Sequence, residues 1–286
     1  MERDIFGTAL KVLEHVTRAG DPLGVRELSR QLGMTVGSTH RALQLLKRER
    51  FVTQLGERGL YKSGTRIFEL AANLVKSHDL VPAASTFLRQ TAEAGDESVV
   101  LMIADGHDAT CVASVESAHL LRTVFPVGWR GPLWFGASGY LLLAYQPEET
   151  IRAVIRAGMK STSPNRLTDP DRLLTRLATV RKTGDSVSHG EREQGMSSVA
   201  AAVRDGNDTV IAAVAIYGPS ARFSRSKIPE YLALVRACAA NISEALAERQ
   251  AARSHMPAPR AVAATQPLRK GARSGNGAVP PVGRTR

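Results

Sequence analysis

Only two cysteines, Cys111 and Cys238, occur among the 286 residues. Neither belongs to a CxxC pair or has a histidine cluster nearby, which argues against metal ligation. Both read as buried or free thiols of a reducing compartment. Aromatic residues make up 5% of the chain. No run approaches the roughly 18–20 apolar residues that a membrane-spanning helix needs. The opening stretch, MERDIFGTAL, mixes both charges and lacks the apolar core of a secretory signal, so a cytoplasmic location with no membrane partner is expected. Acidic residues are missing from one region. Residues 251–286 hold 7 Lys and Arg and no Asp or Glu, residues 1–75 hold 12 against 8, and residues 76–250 hold 19 of each. The net charge of +11 therefore lies at the two ends of the chain. A cationic surface attracts polyanions, although a basic tail alone defines no partner.

What is present divides the chain into four parts. Ala9, Val12, Leu13 and Val16 recur at helical spacing, and AGDP ends that helix. VRELSRQLG gives a second helix, with Val25, Leu28 and Leu32 on one face and Gly33 as its stop. GMTVGSTHRALQLLKRER gives a third almost at once. FVTQLGERGLYKSG then alternates apolar and polar residues about a Gly-Glu-Arg-Gly turn, the pattern of a β-hairpin. Helix, helix, tight turn, helix and hairpin outline a winged helix-turn-helix over residues 1–64. Residues 65–80 form a linker helix, and a further helix is expected over about 82–94. SVVLMIAD, ATCVASVE and HLLRTVFPVG then read as strands. GASGYLLLAY, EETIRAVIRAG and PDRLLTRLATVRKTG read as helices. DSVSH, SSVAAAVRD and TVIAAVAIYG return to strand, the last two joined by a Gly-Asn-Asp turn, and residues 226–249 close with a helix. This order predicts an α+β domain with a mostly antiparallel sheet over residues 81–250. Residues 251–286, rich in Pro, Gly, Ala and Arg, predict a disordered basic tail.

The third helix carries the most chemistry. With Thr35 as its N-cap and Val36 near its start, Ala42, Leu45 and Leu46 face the core, with Ser38 and Thr39 on the flanks. Opposite them stand Gly37, His40, Gln44 and Lys47, with Arg41 and Arg48 at one edge. Small residues in the first turn let the helix end approach a groove. His40, Gln44 and Arg41 have the hydrogen-bonding groups to read base edges, and Arg41 the fork that pairs with guanine. Lys47 and Arg48, with Arg58 and Lys62 on the wing, are suited to phosphates. A solvated face of an interaction module is the plainer reading of the same charges.

These residues have a family likeness. ALKVLEHV, VRELSRQLGM, THRALQLLKRERFV and YKSGTRIFELA in the first half resemble the IclR family of bacterial transcriptional regulators. GPLWFGASGYLLLA, REQGMSSVAAAVRD and AAVAIYGPSARFS in the second half resemble it in the same order and spacing. The resemblance implies a winged helix-turn-helix domain, a linker helix and a GAF-like effector-binding domain. It also implies a homodimer or homotetramer on palindromic operator DNA, and a response to a small organic acid. His40 and Arg41 fall on the family's His-Arg pair. Ala137 and Ser138 fall where members offer backbone N–H groups to an effector carboxylate, as a helix N-terminus suits an anion. The sequence departs from the pattern at three places. The family's pocket Cys is Ser198, an acidic position is Ser188 with Glu191 nearby, and a serine-containing strand end reads Ala215-Ile216-Tyr217-Gly218-Pro219. With Trp134 and Tyr217 adding aromatic area, the effector is expected to be bulkier or more aromatic than a two- or three-carbon acid. Each of these residues also reads plainly as core or strand filling.

No catalytic residue, metal or cofactor is expected. GASGY lacks the two flanking glycines of a nucleophile elbow. HDATC lacks zinc spacing, and His107, His119 and His189 have no motif partners. The alternative to a sequence-specific regulator is a ligand-binding or protein-interaction module that does not read DNA.

Overall fold

A computed structural model describes residues 5–56, 59–77, 79–159 and 167–254. Helix α1 (Ile5–Ala19) buries Ala9, Val12 and Val16, the stripe set by their spacing. A two-residue strand β1 (Leu23–Gly24) leads into α2 (Val25–Gln31) and then α3 (Val36–Arg48). Strands β2 (Val52–Leu55) and β3 (Leu60–Ser63) form the expected hairpin. Sequence reasoning missed β1, which adds to β3 to make an antiparallel sheet of order β1-β3-β2. Two residues are too few to carry an alternating pattern. The core of this half gathers Val12, Val16, Leu28, Ala42, Leu43, Leu46, Val52 and Tyr61.

Helix α4 (Arg66–Ser77) follows the hairpin across Gly64. A side chain at Gly64 would place its Cβ 2.1 Å from the Arg50 carbonyl oxygen, so the close passage of hairpin and helix end admits only glycine. Helix α5 (Leu80–Gly95) starts at Leu80, inside the span assigned to the linker, and Pro82 sits within its first turn, where no intrahelical N–H is required.

Six strands then build one fully antiparallel sheet. They are β4 (Ser98–Asp105), β5 (Asp108–Val115), β6 (Arg130–Pro132), β7 (Asp185–His189), β8 (Met196–Arg204) and β9 (Val210–Pro219). Their order is β6-β5-β4-β9-β8-β7. HLLRTVFPVG is not a strand: residues 116–129 form a loop, and β6 pairs with β5 in its place. Pro126 cannot donate to a ladder, and only Phe125 of the expected alternation is buried, whereas Leu120 and Leu121 are exposed.

One face of the sheet packs on α5 and on α9 (Lys227–Ser254). The other packs on α6 (Gly136–Ala144), α7 (Glu148–Ala157) and α8 (Pro170–Thr183). Helix α9 runs to Ser254, past the boundary placed at residue 250, and the remainder of the expected tail, residues 255–286, lies outside the described residues. No helix among the described residues is long and apolar enough to cross a membrane.

Leu43, not Leu45, shares the buried face of α3 with Thr39, Ala42 and Leu46, and Leu45 is half-buried. Replacing Leu43 by Ala should cost about 2–5 kcal/mol in denaturant unfolding. Leu45→Ala should cost clearly less, and equal costs would contradict this orientation of the helix.

Candidate nucleic-acid interface and ligand site

The first turn of α3 is held by Thr35, whose side chain accepts from the Ser38 N–H at 3.2 Å, so the expected cap is formed. Gly37 stands in this turn with nothing within 4 Å of an added Cβ. Its smallness therefore serves no contact among the described residues and leaves the helix end bare. Ser38 is half-buried and Thr39 fully buried.

His40, Arg41, Gln44, Lys47 and Arg48 are all exposed on the opposite side. Gln44 Nε2 donates to the Tyr61 hydroxyl at 3.2 Å and lies 3.3 Å from His40 Nε2. Tyr61 is a core residue of β3, so the hairpin braces the polar face of α3 from beneath. Lys47 Nζ donates to Gln54 Oε1 on β2 at 2.7 Å, and Arg48 Nε to Glu49 at 3.0 Å. The Arg41 side chain makes no hydrogen bond or ion pair with any described residue, which leaves its whole fork of donors for a partner.

The wing divides. Gln54 pairs with Tyr61 and Thr53 with Lys62, so exposed Lys62 points to the hairpin face away from the Lys47–Gln54 contact. Arg58 lies outside the described residues. The start of α4 is fastened to the residues just after α3, where Glu69 meets Arg50 at 3.1 Å and Arg66 at 2.7 Å. The hydrogen bond from Arg66 is the main cause that holds the Glu69 carboxyl below its ordinary range.

In the second half, register brings the expected pocket residues into one row. Ser188 pairs with Ser198, Ser198 with Tyr217, and Tyr217 with Ser98, across β7, β8, β9 and β4. Side chains of one row share a face, here the face under α6. Ala215 lies on the same face two residues before Tyr217. Helix α6 comes close enough to touch the row because it begins with small residues. At Gly136 an added Cβ would lie 3.4 Å from the Tyr217 hydroxyl. The Ala137 N–H donates to Ser198 Oγ at 3.2 Å, and the Ser138 and Tyr217 hydroxyls share a hydrogen bond of 2.6 Å. Polar groups expected to meet a ligand thus meet each other, all of them buried.

Trp134 packs in the core against Phe135, with ring centroids 5.0 Å apart. Glu191 accepts from Arg176 at 3.0 Å on α8. Burial raises the Tyr140 phenol above its ordinary pKa, and the nearby Glu191 adds to that. The aromatic groups at the mouth of the site are ones that sequence reasoning passed over. Phe125 and Trp129 meet edge-on with centroids 5.0 Å apart, and Phe125 also meets Tyr217 at 4.7 Å. The Arg192 guanidinium lies over Trp129 at 4.3 Å and Phe125 at 4.5 Å. No local signal marks Arg192, which sits in a polar run, HGEREQGM, far in sequence from its rings.

Both cysteines are buried. Burial pushes the Cys111 thiol up to about 11, so it is a thiol rather than a thiolate at neutral pH. Among the described residues no group of three or more His, Cys, Asp or Glu could hold a metal ion.

Tyr217→Phe removes one partner of a buried hydrogen bond and leaves the Ser138 hydroxyl to find another. A loss of about 1–3 kcal/mol is expected in thermal or denaturant unfolding. No loss would show that the Ser138–Tyr217 contact does not hold the site closed.

Comparison with known proteins identifies the fold and the family. Residues 72–244 match the family model of the bacterial transcriptional regulator IclR C-terminal domain, and residues 9–56 match the IclR helix-turn-helix domain. The HTH-type transcriptional repressor AllR of Escherichia coli (strain K12) is 29% identical over 238 residues, 83% of this chain and 88% of that protein. The transcriptional repressor IclR of the same organism is 29% identical over 229 residues, 79% of this chain and 84% of its own length. The fold is also that of an IclR homolog complexed with 4-hydroxybenzoate from Microbacterium hydrocarbonoxydans. The TM-score is 0.75 at 20% identity, over 85% of this chain and 99% of the other. The chain belongs to the IclR family of bacterial transcriptional regulators.

Proposed function

We propose that this regulator binds operator DNA as a homodimer or a dimer of dimers in the cytoplasm, with one α3 helix in each of two successive major grooves. Residues 1–64 would contact DNA, residues 65–80 transmit, and residues 81–250 sense a small organic acid. The observation that carries the reading is the outer face of α3. It combines a bare Gly37, a braced pair of His40 and Gln44, and an Arg41 with no hydrogen bond or ion pair among the described residues. Base edges in a major groove offer acceptors and donors that match these three side chains, while Lys47 and Arg48 suit the flanking phosphates. Half-site spacing of one helical turn, about 34–36 Å, is what two such helices require.

Exposed apolar side chains support pairing of two copies near the DNA. Phe6 on α1 is 68% exposed and Phe68 on α4 is 74% exposed, with Ile5 and Leu10 beside the former. Covering them by a second copy would remove an apolar surface that a monomer seldom leaves open.

The effector half supports a sensor rather than an enzyme. Its Ser138 and Tyr217 hydroxyls bond to each other, with no hydrogen bond to a base among the described residues, and the Ser197–His189 contact of 2.8 Å is shared with the Ser220 hydroxyl at 2.7 Å. A ligand that opens the Ser138–Tyr217 and Ala137–Ser198 contacts would rearrange α6 against β8 and β9. Those shifts would pass through the sheet to α5, which follows α4 in the chain, and the Glu69–Arg50 pair would carry them from α4 to the residues just after α3. A coupling of about 1–3 kcal/mol would change operator affinity roughly 5- to 150-fold.

Arg41→Ala tests the DNA-reading role. It should keep the fold, weaken binding to a selected operator by about 1–3 kcal/mol and relax base preference at one position. The measurement is gel retardation on operator and random DNA at two salt concentrations. Equal affinity of the wild type for both DNAs would refute sequence reading by this helix. Absence of any retardation at low salt would refute DNA binding altogether.

A further inference from the structure

We propose that Arg192 is the counter-ion of an organic carboxylate that binds in the cavity under the 116–129 loop, its planar body against Phe125 and Met196. The inference rests on the effector reading above and names the group that takes the ligand's charge.

The cavity measures about 370 Å³ and is lined by Arg192, Leu121, Val124, Phe125, Gln194 and Met196, among others. That volume suits a ligand of one ring and a few substituents. Arg192 enters it from a box of aromatic rings, with Phe135 at 5.3 Å completing the contacts of Trp129 and Phe125. Rings cover the flat surfaces of a guanidinium and leave its in-plane N–H groups unused. Those groups make no hydrogen bond or ion pair with any described residue.

Other half-buried arginines of this half are treated differently. Arg222 is paired with the buried Glu97, and Arg176 with Glu191. Arg192 alone of these three has no paired carboxylate, although exposed Glu193 also lines the cavity and adds a favourable charge without an ion pair. Burial lowers its pKa from the ordinary arginine value and outweighs the nearby Tyr217 and Glu193, which raise it. A carboxylate presents two oxygens that match the guanidinium fork.

The start of α6 borders the same place, since an added Cβ at Gly136 would lie 3.9 Å from Arg192 Cδ and 3.4 Å from the Tyr217 hydroxyl. There the Ala137 N–H already donates to Ser198, and the Ser138 and Tyr217 hydroxyls pair with each other. The donors still unspent are those of Arg192. The same rings could cage a ligand cation, but Arg192 occupies them, and a second positive charge would have to expel it.

The loop that roofs the cavity is anchored at two points. Arg222 donates to the Leu121 carbonyl at 3.0 Å, and the Gly128 N–H to the Cys111 carbonyl at 2.8 Å. Exposed Leu121 at the first anchor and Val124 between the two give the ligand body an apolar approach.

The test is calorimetric titration of the full chain with benzoate and 4-hydroxybenzoate, set against benzamide, 4-hydroxybenzamide and benzyltrimethylammonium. The carboxylates should bind the wild type, and the isosteric amides and the ammonium at least about tenfold more weakly. Arg192→Gln should weaken carboxylate binding about 10- to 100-fold. Arg192→Lys, which keeps the charge but not the fork, should fall between. Comparison of acid with amide needs no variant, so it stands even if a substitution disturbs folding. Equal carboxylate affinity in wild type and Arg192→Gln overturns the assignment, as does preference for the ammonium or for the amides, or failure of both carboxylates to bind. The effector reading is judged separately, by whether any compound of the panel changes retention of operator DNA. A response that persists in Arg192→Gln keeps that reading and removes Arg192 from it, while no response to any compound counts against both.

Discussion

Burial of Thr39, Ala42, Leu43 and Leu46 against α1 fixes the rotation of α3 about its own axis, and everything on the outer side of that helix follows from it. A helix has 3.6 residues per turn, so once four positions are committed to the core, His40, Arg41, Gln44 and Lys47 have nowhere to go but outward. The hairpin makes this orientation stiffer. Tyr61 contributes its ring to the core and its hydroxyl to Gln44, so one residue serves both the packing and the polar face. Lys47 is drawn to Gln54 in the same way. The face that would meet DNA is therefore partly arranged before any DNA arrives, which lowers the entropy to be lost on binding.

The effector half rests on a different constraint, the register of four strands. Pairing of Ser188, Ser198, Tyr217 and Ser98 in one row puts hydroxyl groups side by side beneath the start of a helix made of small residues. That helix is buried along its whole length, so its polar groups must be answered from within. Ser198 and Tyr217 answer them. The arrangement is closed by the protein's own groups, and a ligand would have to compete with those contacts. Such competition is what turns binding into a change of shape.

Much of this was legible in the sequence, for physical reasons that can be named. Long helices with a clear stripe, the Thr35 cap and the turn-bounded strands each carry their signal locally, and the structure has them. Leu43 and Leu45 were exchanged because 42, 43, 45 and 46 form one apolar arc, and only the position of α1 decides which edge lies deepest. HLLRTVFPVG had the alternation of a strand, but Pro126 and the edge position of β6 made it a loop. Strand β1 is too short to leave a pattern. The departures at Ser198 and Tyr217 were visible as residue identities. Their partners, Ala137 and Ser138, are 61 and 79 positions away and were visible only after folding. Arg192 was missed for the same reason, since its rings come from residues 125, 129 and 135 while the residue itself looks like an ordinary surface charge.

Gly37 offers the most direct test of the two-sided helix. Nothing among the described residues lies within 4 Å of a Cβ placed there, and glycine inside a helix costs roughly 0.5–1 kcal/mol relative to alanine. The decisive measurement is the melting temperature and operator affinity of Gly37→Met in parallel. An unchanged or raised melting temperature with operator binding lost is the result expected if that turn enters a groove. A variant that binds operator as tightly as the wild type would contradict it.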